Sequence, residues 1–198
     1  MNFFLASMSP RRRELLNSLG ITHQLINISI NEERRNNETP LNYVERMAKE
    51  KAEAGFASLA STQDALVLAA DTIVVLGDRV LGKPQDRQQA REMLLSLSGH
   101  SHVVMTAFAL KSAEKIRIQR VNTTVFFRHI LDAELDWYLN TGEPEDKAGS
   151  YAIQGAGSVF VNSISGSYSS VVGLPLSELV VALRDFGLDF TATARPGR

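Results

Sequence analysis

Ser7 and Ser9 supply two hydroxyls, Pro10 a fixed φ, and Arg11, Arg12 and Arg13 three consecutive guanidiniums near the start of the chain. The order suits an anion site at the start of a helix. Asn2 to Ala6 is apolar enough for a short strand, Ser9 fits an N-cap, and Pro10 fits the first helical position, where its missing N–H costs nothing. Helix N-termini carry partial positive charge and favour acidic side chains, so three arginines there call for an anion to offset them. The alternative is a solvated basic turn that happens to follow a cap.

Asp71 is the second candidate. It follows the apolar run Ala65 to Ala70 and precedes Thr72 to Leu76, so a carboxylate interrupts what otherwise reads as a buried strand. Such a group must be paired, bound to metal or open to a cleft at the strand's mouth. Glu32 and Glu33 sit where a strand over Thr22 to Ile30 would end, a usual place for ligands in open α/β sheets, although a solvated pair of loop carboxylates is the commoner case. Lys51 lies on the apolar side of a helical pattern made by Tyr43, Val44, Met47, Ala48 and Ala52. Its stem can snorkel across the core edge, or its ammonium can enter a cleft.

Lys83 lies between Gly82 and Pro84, in a rigid turn that fixes its direction. Gly77 to Lys83 imitates the G-x-x-x-x-G-K part of a phosphate loop, but Pro84 stands where a hydroxyl should hold Mg²⁺, and the context is strand-turn-strand. The phosphate-loop reading is rejected. Gln154, between Ile153 and the glycines Gly155 and Gly157, offers a donor and an acceptor in a segment where the backbone can approach a ligand closely. His100 and His102 have period-two spacing but no evident third ligand, and read as a half-buried strand face rather than a metal site.

The elements that must carry these residues are legible in outline. Gly20 ends the first helix, Pro40 opens the second, and Gly77-Asp78 marks a hairpin. Asp86 to Leu97 reads as a helix capped by Asp86 and ended by Gly99, with Ala90, Met93, Leu94 and Leu97 as its buried stripe. His100 to Lys111 and Lys115 to Arg128 read as two long strands. Ala133 to Leu139 is a short helix carrying Trp137 and Tyr138 as core or interface aromatics, Gly142 to Gly149 a polar turn, and Leu176 to Phe186 the last helix.

A chain of 198 residues suits one α/β domain or two small lobes sharing a cleft, and 44% hydrophobic against 22% charged residues indicates a globular protein. No apolar run reaches the ~18 residues of a membrane span. Met1 to Ala6 lacks the features of a signal peptide, so a cytoplasmic protein without membrane attachment is expected. The absence of cysteine excludes thiolate chemistry and leaves oxygen or histidine for any metal. A net charge of −1 argues against a nucleic-acid polymer and leaves the local basic cluster for a small anion.

Leu5 to Arg12, Asn31-Glu32, Glu50-Lys51-Ala52, Asp71-Thr72, Gly82-Lys83-Pro84, Phe127-Arg128, Lys147 to Tyr151, Ile153-Gln154-Gly155 and Gly173 to Leu176 together resemble the Maf family of nucleoside triphosphate pyrophosphatases. The likeness covers nearly the whole chain. It implies an α/β fold with a mixed twisted sheet flanked by helices and two lobes around a central cleft, similar to the inosine-triphosphate pyrophosphatases. The domain would span 1–190, with 191–198 as a frayed tail. The implied activity is hydrolysis of a nucleoside triphosphate to monophosphate and pyrophosphate with a divalent cation, as clearance of non-canonical nucleotides, frequently by a homodimer.

Arg11, Thr72 and Gln154 are similar to residues of the dTTP/UTP-hydrolysing branch, whereas the 7-methyl-GTP branch typically has Gln after the aspartate. Asn31 departs from the pattern, standing where the family usually has an acid, and Arg13 lies outside its core motif. On this resemblance Asp71 is the general base and a metal ligand, with Glu32 as companion carboxylate for Mg²⁺ or Mn²⁺. Arg12, Lys51, Lys83 and the Ser7/Ser9 region would neutralise phosphate oxygens. Gln154 and Thr72, with Arg11, would select the base. The rival readings are a nucleotide-binding module that does not hydrolyse, and a phosphatase of small phosphorylated molecules.

Overall fold

A computed structural model describes residues 1–189 and Thr191. Apart from Thr191, the expected tail at 191–198 lies outside the described residues. In chain order the elements are β1 (Asn2–Leu5), α1 (Pro10–Ser18), β2 (Gln24–Leu25), α2 (Pro40–Ala57), β3 (Ala65–Leu76), β4 (Arg79–Leu81) and α3 (Arg87–Leu97). Then follow β5 (Ser101–Lys111), β6 (Ile116–Phe127), α4 (Asp132–Leu139), β7 (Val161–Ser165), α5 (Tyr168–Val172) and α6 (Leu176–Arg184). The strands form one mixed sheet in the order β2-β1-β3-β5-β6-β7, with β4 paired to β3. Helices flank it, as the sequence reading expects.

Two compact units divide the chain. The first comprises Met1–Asp71, Thr106–Val121 and the stretch from Gly173 onward; the second comprises Thr72–Met105 and Asn122–Val172. Each has its own core. In the first, Phe3 and Leu5 of β1, Leu66 and Leu68 of β3, and Phe108 and Leu110 of β5 pack with Leu16 of α1 and with Leu179 and Leu183 of α6. In the second, Val74, Leu81, Leu94, Val125, Phe127, Tyr138 and Phe160 form the centre.

In the first unit β1 pairs in parallel on both sides. β1 lies between β2 and β3, with Leu5 opposite Leu25 on one side and Leu68 on the other. β2 is far shorter than the strand expected over Thr22 to Ile30. It lies at the sheet edge, and its only neighbour, β1, stops at Leu5, so there is no ladder for a longer strand to join. α1 ends as its sequence predicts. Gly20 takes φ +68°, its N–H reaches the Asn17 carbonyl at 2.9 Å, and Ile21 N–H reaches that of Leu16 at 3.3 Å.

Strand parity decides where α2 goes. Leu66, Leu68 and Ala70 share a core with α1 and α6, so Val67, Ala69 and Asp71 face the other side of the sheet. There α2 lays down its buried stripe of Val44, Met47, Ala48, Lys51, Ala52 and Gly55. At Gly55 the approach is close: a Cβ would lie 2.7 Å from Ala6 Cβ and 3.2 Å from a Val67 methyl.

In the second unit the Gly77-Asp78 hairpin forms as read, pairing Leu76 with Arg79, and so disposes of the phosphate-loop imitation. Asp86 caps α3 by accepting from Gln89 N–H at 2.7 Å. Of the two aromatics of α4, Tyr138 is in the core and Trp137 is 49% exposed. Two differences stand out. The polar turn at Gly142 to Gly149 coils into short 3₁₀ turns, Glu143–Asp146 and Ala148–Ser150, and a third, Ala156–Phe160, leads into β7, a strand absent from the sequence reading. His102 is buried rather than half-buried, with Nε2 2.7 Å from the Tyr151 hydroxyl and its ring edge-on to Phe127.

Gly55→Ala improves helix propensity but drives a methyl against Ala6, whose own methyl cannot rotate away. Overpacking outweighs propensity, so the variant should lose about 1–2 kcal/mol, read from its urea midpoint.

Candidate active site

Asp71 faces the α2 side of the sheet, three residues beyond Leu68, where pairing with β1 ends. The position lies at the carboxyl end of the parallel strands, beside the turn that leads from β1 into α1. A hydrocarbon partner would leave its charge unanswered. Lys51 answers it, with Nζ 2.7 Å from Asp71 Oδ1 and both side chains nearly buried. The close contact of Gly55 with Val67 shows how the lysine reaches. Lys51 is one helical turn from Gly55 and Asp71 two strand repeats from Val67, about 6 Å against about 13 Å, and the four-carbon stem of lysine spans the difference. The Lys51 ammonium is thus directed at a carboxylate of the sheet.

Glu32 comes to the same nitrogen. Its Oε1 lies 2.8 Å from Lys51 Nζ, although Glu32 itself is exposed. Side chains of α2 hold the loop that carries it: Tyr43 Oη donates to the Glu32 carbonyl at 2.8 Å, and Arg46 Nη2 to the Glu33 carbonyl at 3.0 Å. Arg46 also forks onto Glu38, Nε to Oε1 at 2.6 Å and Nη2 to Oε2 at 2.7 Å, and reaches Glu50 at 3.2 Å. The hydrogen bonds from Arg46 hold the Glu38 carboxyl at about 2, against a burial effect that would raise it; the Arg35 N–H adds to the lowering. A Glu followed eight residues later by Arg, across a helix start, gives no local signal of pairing.

The serine–arginine run is organised around Ser7 and Arg12. Ser9 occupies the N-cap of α1, but its side chain makes no capping bond. Ser7 Oγ instead accepts from Ser9 N–H at 3.3 Å and from Arg12 Nη1 at 3.2 Å, while Arg12 Nε donates to the Gly173 carbonyl at 2.8 Å. Gly173 sits at φ +132°, a backbone position that favours glycine. Burial lowers the proton affinity of Arg12; Asp71 opposes that, Arg11 adds to it, and Glu32 opposes it. The anion the arginines call for is therefore partly supplied by the protein's own carboxylates. Arg11 is half-buried, with Nε lacking a partner, and Arg13 is exposed.

Asp71 and Glu32 converging on one ammonium fit the donor set of a hard cation, which takes one or two carboxylates and fills its shell from phosphate and water. Among the described residues no group of three or more His, Asp or Glu could hold a metal without such help.

Thr72, Lys83 and Gln154 belong to the second unit. Lys83 is exposed, and its turn is tied down by the Gly149 N–H, 3.0 Å from the Gly82 carbonyl. Gly149 itself, at φ +67°, packs so closely that a Cβ would meet Val74 at 3.0 Å. Gln154 is exposed in a turn closed by Gly155 N–H on the Ala152 carbonyl at 3.3 Å. The glycines beside it make room for the protein's own side chains. A Cβ at Gly155 would fall 2.0 Å from Glu143 Oε2, and one at Gly157 2.7 Å from Tyr138 Oη. The close approach is made by the protein's own side chains.

A family profile described as Maf-like protein matches residues 2–186. Proteins named dTTP/UTP pyrophosphatase are similar over most of their length. That of Syntrophus aciditrophicus is 49% identical, over 92% of this chain and 89% of its own. That of Shewanella oneidensis is 48% identical over 95% and 100%, and that of Shigella sonnei 50% over 93% and 93%. Among solved structures the Ham1 protein of Staphylococcus aureus superposes with a TM-score of 0.53, covering 94% of this chain and 100% of that one at 11% identity. That likeness concerns the fold alone and agrees with the fold class read from sequence.

The Glu38 carboxyl supplies stability that is complete above its ordinary value of 4.5 and is lost as pH falls towards about 2. Glu38→Gln should be less stable than the parent at pH 6, and its urea midpoint should fall less steeply than the parent's between pH 4.5 and pH 2.5.

Proposed function

The chain belongs to the Maf-like family, and we propose that it hydrolyses nucleoside triphosphates, dTTP, UTP and modified pyrimidine analogues, to the monophosphate and pyrophosphate. The observation that carries the proposal is the Asp71–Lys51–Glu32 cluster at the carboxyl end of the parallel strands, with Arg12 close enough for both carboxylates to favour its charge. The activity for which relatives at 48–50% identity are named supports the same reading.

In this scheme Lys51 holds Asp71 Oδ1, which orients the carboxylate for its other oxygen to accept a proton from water. The water oxygen bonds to the α-phosphorus, the bond from that phosphorus to the bridging oxygen breaks, and pyrophosphate leaves with the electron pair. Lys51 uses two of its three N–H donors on carboxylates and keeps one for a phosphate oxygen. Arg12, fixed by Ser7 and the Gly173 carbonyl, offers a guanidinium already set in place, and Ser9 and Lys83 take further phosphate oxygens. Asp71 and Glu32 would hold the divalent cation, Mg²⁺ or Mn²⁺. When bound it would neutralise charge on the phosphates. Gln154, with Thr72 and Arg11, selects the base, because an amide matches the polar edge of thymine or uracil; a site that hydrogen-bonds its substrate rejects analogues lacking the partner by ~10⁴ or more.

Clearance of non-canonical nucleotides and a homodimer belong to the same proposal and rest on the family resemblance, and a cytoplasmic location is proposed with them. Light scattering on the purified protein reads the oligomeric state. Among the described residues no helix is long and apolar enough to cross a membrane.

Asp71→Asn keeps the shape of the side chain and should lose at least ~10² in kcat while unfolding as a single folded protein does. Near-normal turnover would remove Asp71 from the role of base. Product analysis should give monophosphate and pyrophosphate from dTTP and UTP with purines spared, and EDTA should abolish turnover until Mg²⁺ or Mn²⁺ is restored. Orthophosphate as product, or tight binding without turnover, would replace the proposal with the phosphatase or the binding-module reading.

A further inference from the structure

The second unit contains a carboxylate that the scheme above does not use. Glu143 is half-buried and receives three hydrogen bonds: Tyr138 Oη donates to Oε1 at 2.8 Å, Gly157 N–H to Oε1 at 3.0 Å, and Ala156 N–H to Oε2 at 2.8 Å. The two backbone donors are consecutive, and together they form the kind of N–H concavity that elsewhere binds a phosphate or carboxylate ligand. Here the anion is internal. Burial would raise the Glu143 carboxyl, but the N–H of Gly157, the Tyr138 hydroxyl and the N–H of Ala156 outweigh it and hold the group ionised. Tyr138 is wholly buried in the aromatic core, edge-on to Phe160, so the carboxylate is anchored to the rigid part of the unit.

What this clamp fixes is the segment that begins with Gln154. Gly155 N–H closes the turn onto Ala152, and the next two N–H groups are taken by Glu143, so three successive amides after Gln154 are committed. Gly155 can carry no side chain, because its Cβ would fall on the Glu143 carboxylate. The backbone of an exposed Gln154 is thus held by a side chain from a turn eleven residues earlier in sequence.

We propose that Glu143 is a positioning residue for base selection: it holds the Gln154–Gly157 turn so that the Gln154 amide meets the polar edge of the pyrimidine. The inference rests on the reading of Gln154 as the base-selecting residue. Misplacement of such a group by about 1 Å can cost ~10²-fold. Glu143 touches no reacting atom, so its loss should alter which nucleotide is preferred more than the chemistry shared by all of them.

The test compares kcat/KM for dTTP and dGTP in the parent, Glu143→Gln, Gln154→Ala and the double variant, at a temperature where circular dichroism shows each folded. Glutamine preserves the volume but places an amide NH₂ against a backbone N–H. Glu143→Gln should lower the dTTP/dGTP ratio at least tenfold, and the double variant should fall no further than Gln154→Ala alone, because both act through one contact. A purely structural role would reduce active enzyme equally for both nucleotides and leave the ratio unmoved. That outcome, with Gln154→Ala still lowering the ratio, overturns the role of Glu143 while the base reading stands. An unchanged ratio in Gln154→Ala, or a parent without base preference, removes the base reading and this inference with it. Should Glu143→Gln fail to fold, Tyr138→Phe deletes one of the three donors; a ratio lowered several-fold supports the inference, and an unmoved ratio overturns it.

Discussion

Asp71 follows six consecutive buried residues in β3, and a carboxylate in that place is unstable without a cation beside it. Much of the first unit follows from that constraint. The cation has to come from the element covering that face of the sheet, which is α2, and from a residue on its buried stripe, which is Lys51. Lys51 can occupy that stripe only because Gly55 and Ala6 let the helix sit close to the strand. The ammonium then has capacity left over, and Glu32 uses it. The result is a cluster of opposite charges at the carboxyl end of the parallel strands, held in place by the fold itself.

The loop bearing Glu32 has no regular structure, and its order comes from side chains. Tyr43 and Arg46 each donate to its backbone, and Glu38 returns along the loop to form a two-point pair with Arg46. A planar guanidinium forked onto a carboxylate fixes orientation as well as distance, which a lysine at that position would not do. α2 thus acts twice, burying Lys51 beneath Asp71 and gripping the loop above it.

The second unit solves a related problem with the signs reversed. There the backbone supplies the donors, and Glu143 fills the concavity that Gly155, Ala156 and Gly157 create. Glycine-rich turns invite the expectation of a ligand. In this protein the glycines at 155 and 157 make room for Glu143 and Tyr138, and Gln154 beside them is exposed. Arg128 and Glu134 are joined in the same two-point manner, at 2.7 and 2.8 Å, where β6 ends and α4 begins. Carboxylates used as internal ligands for backbone and guanidinium therefore recur wherever an irregular segment has to be held still.

Local chemistry was enough to read α1 with its proline start and glycine stop, the stripe of α2, the capped α3, the Gly77-Asp78 hairpin and the conflict at Asp71. Each depends on residues within a few positions of one another, and period and capping are properties of such short windows. The length of β2, the existence of β7 and the burial of His102 were not legible, because each is set by a neighbour distant in sequence. The same holds for the site. By itself the sequence determined that a buried carboxylate needed a partner and that Lys51 lay on an apolar helix face. Only the tertiary structure decided that the two meet, that Glu32 joins them, and that Glu143 binds the backbone of the glycine turn. Pairing of charges across 19 and 20 residues is decided by strand parity and helix packing, which no local pattern encodes.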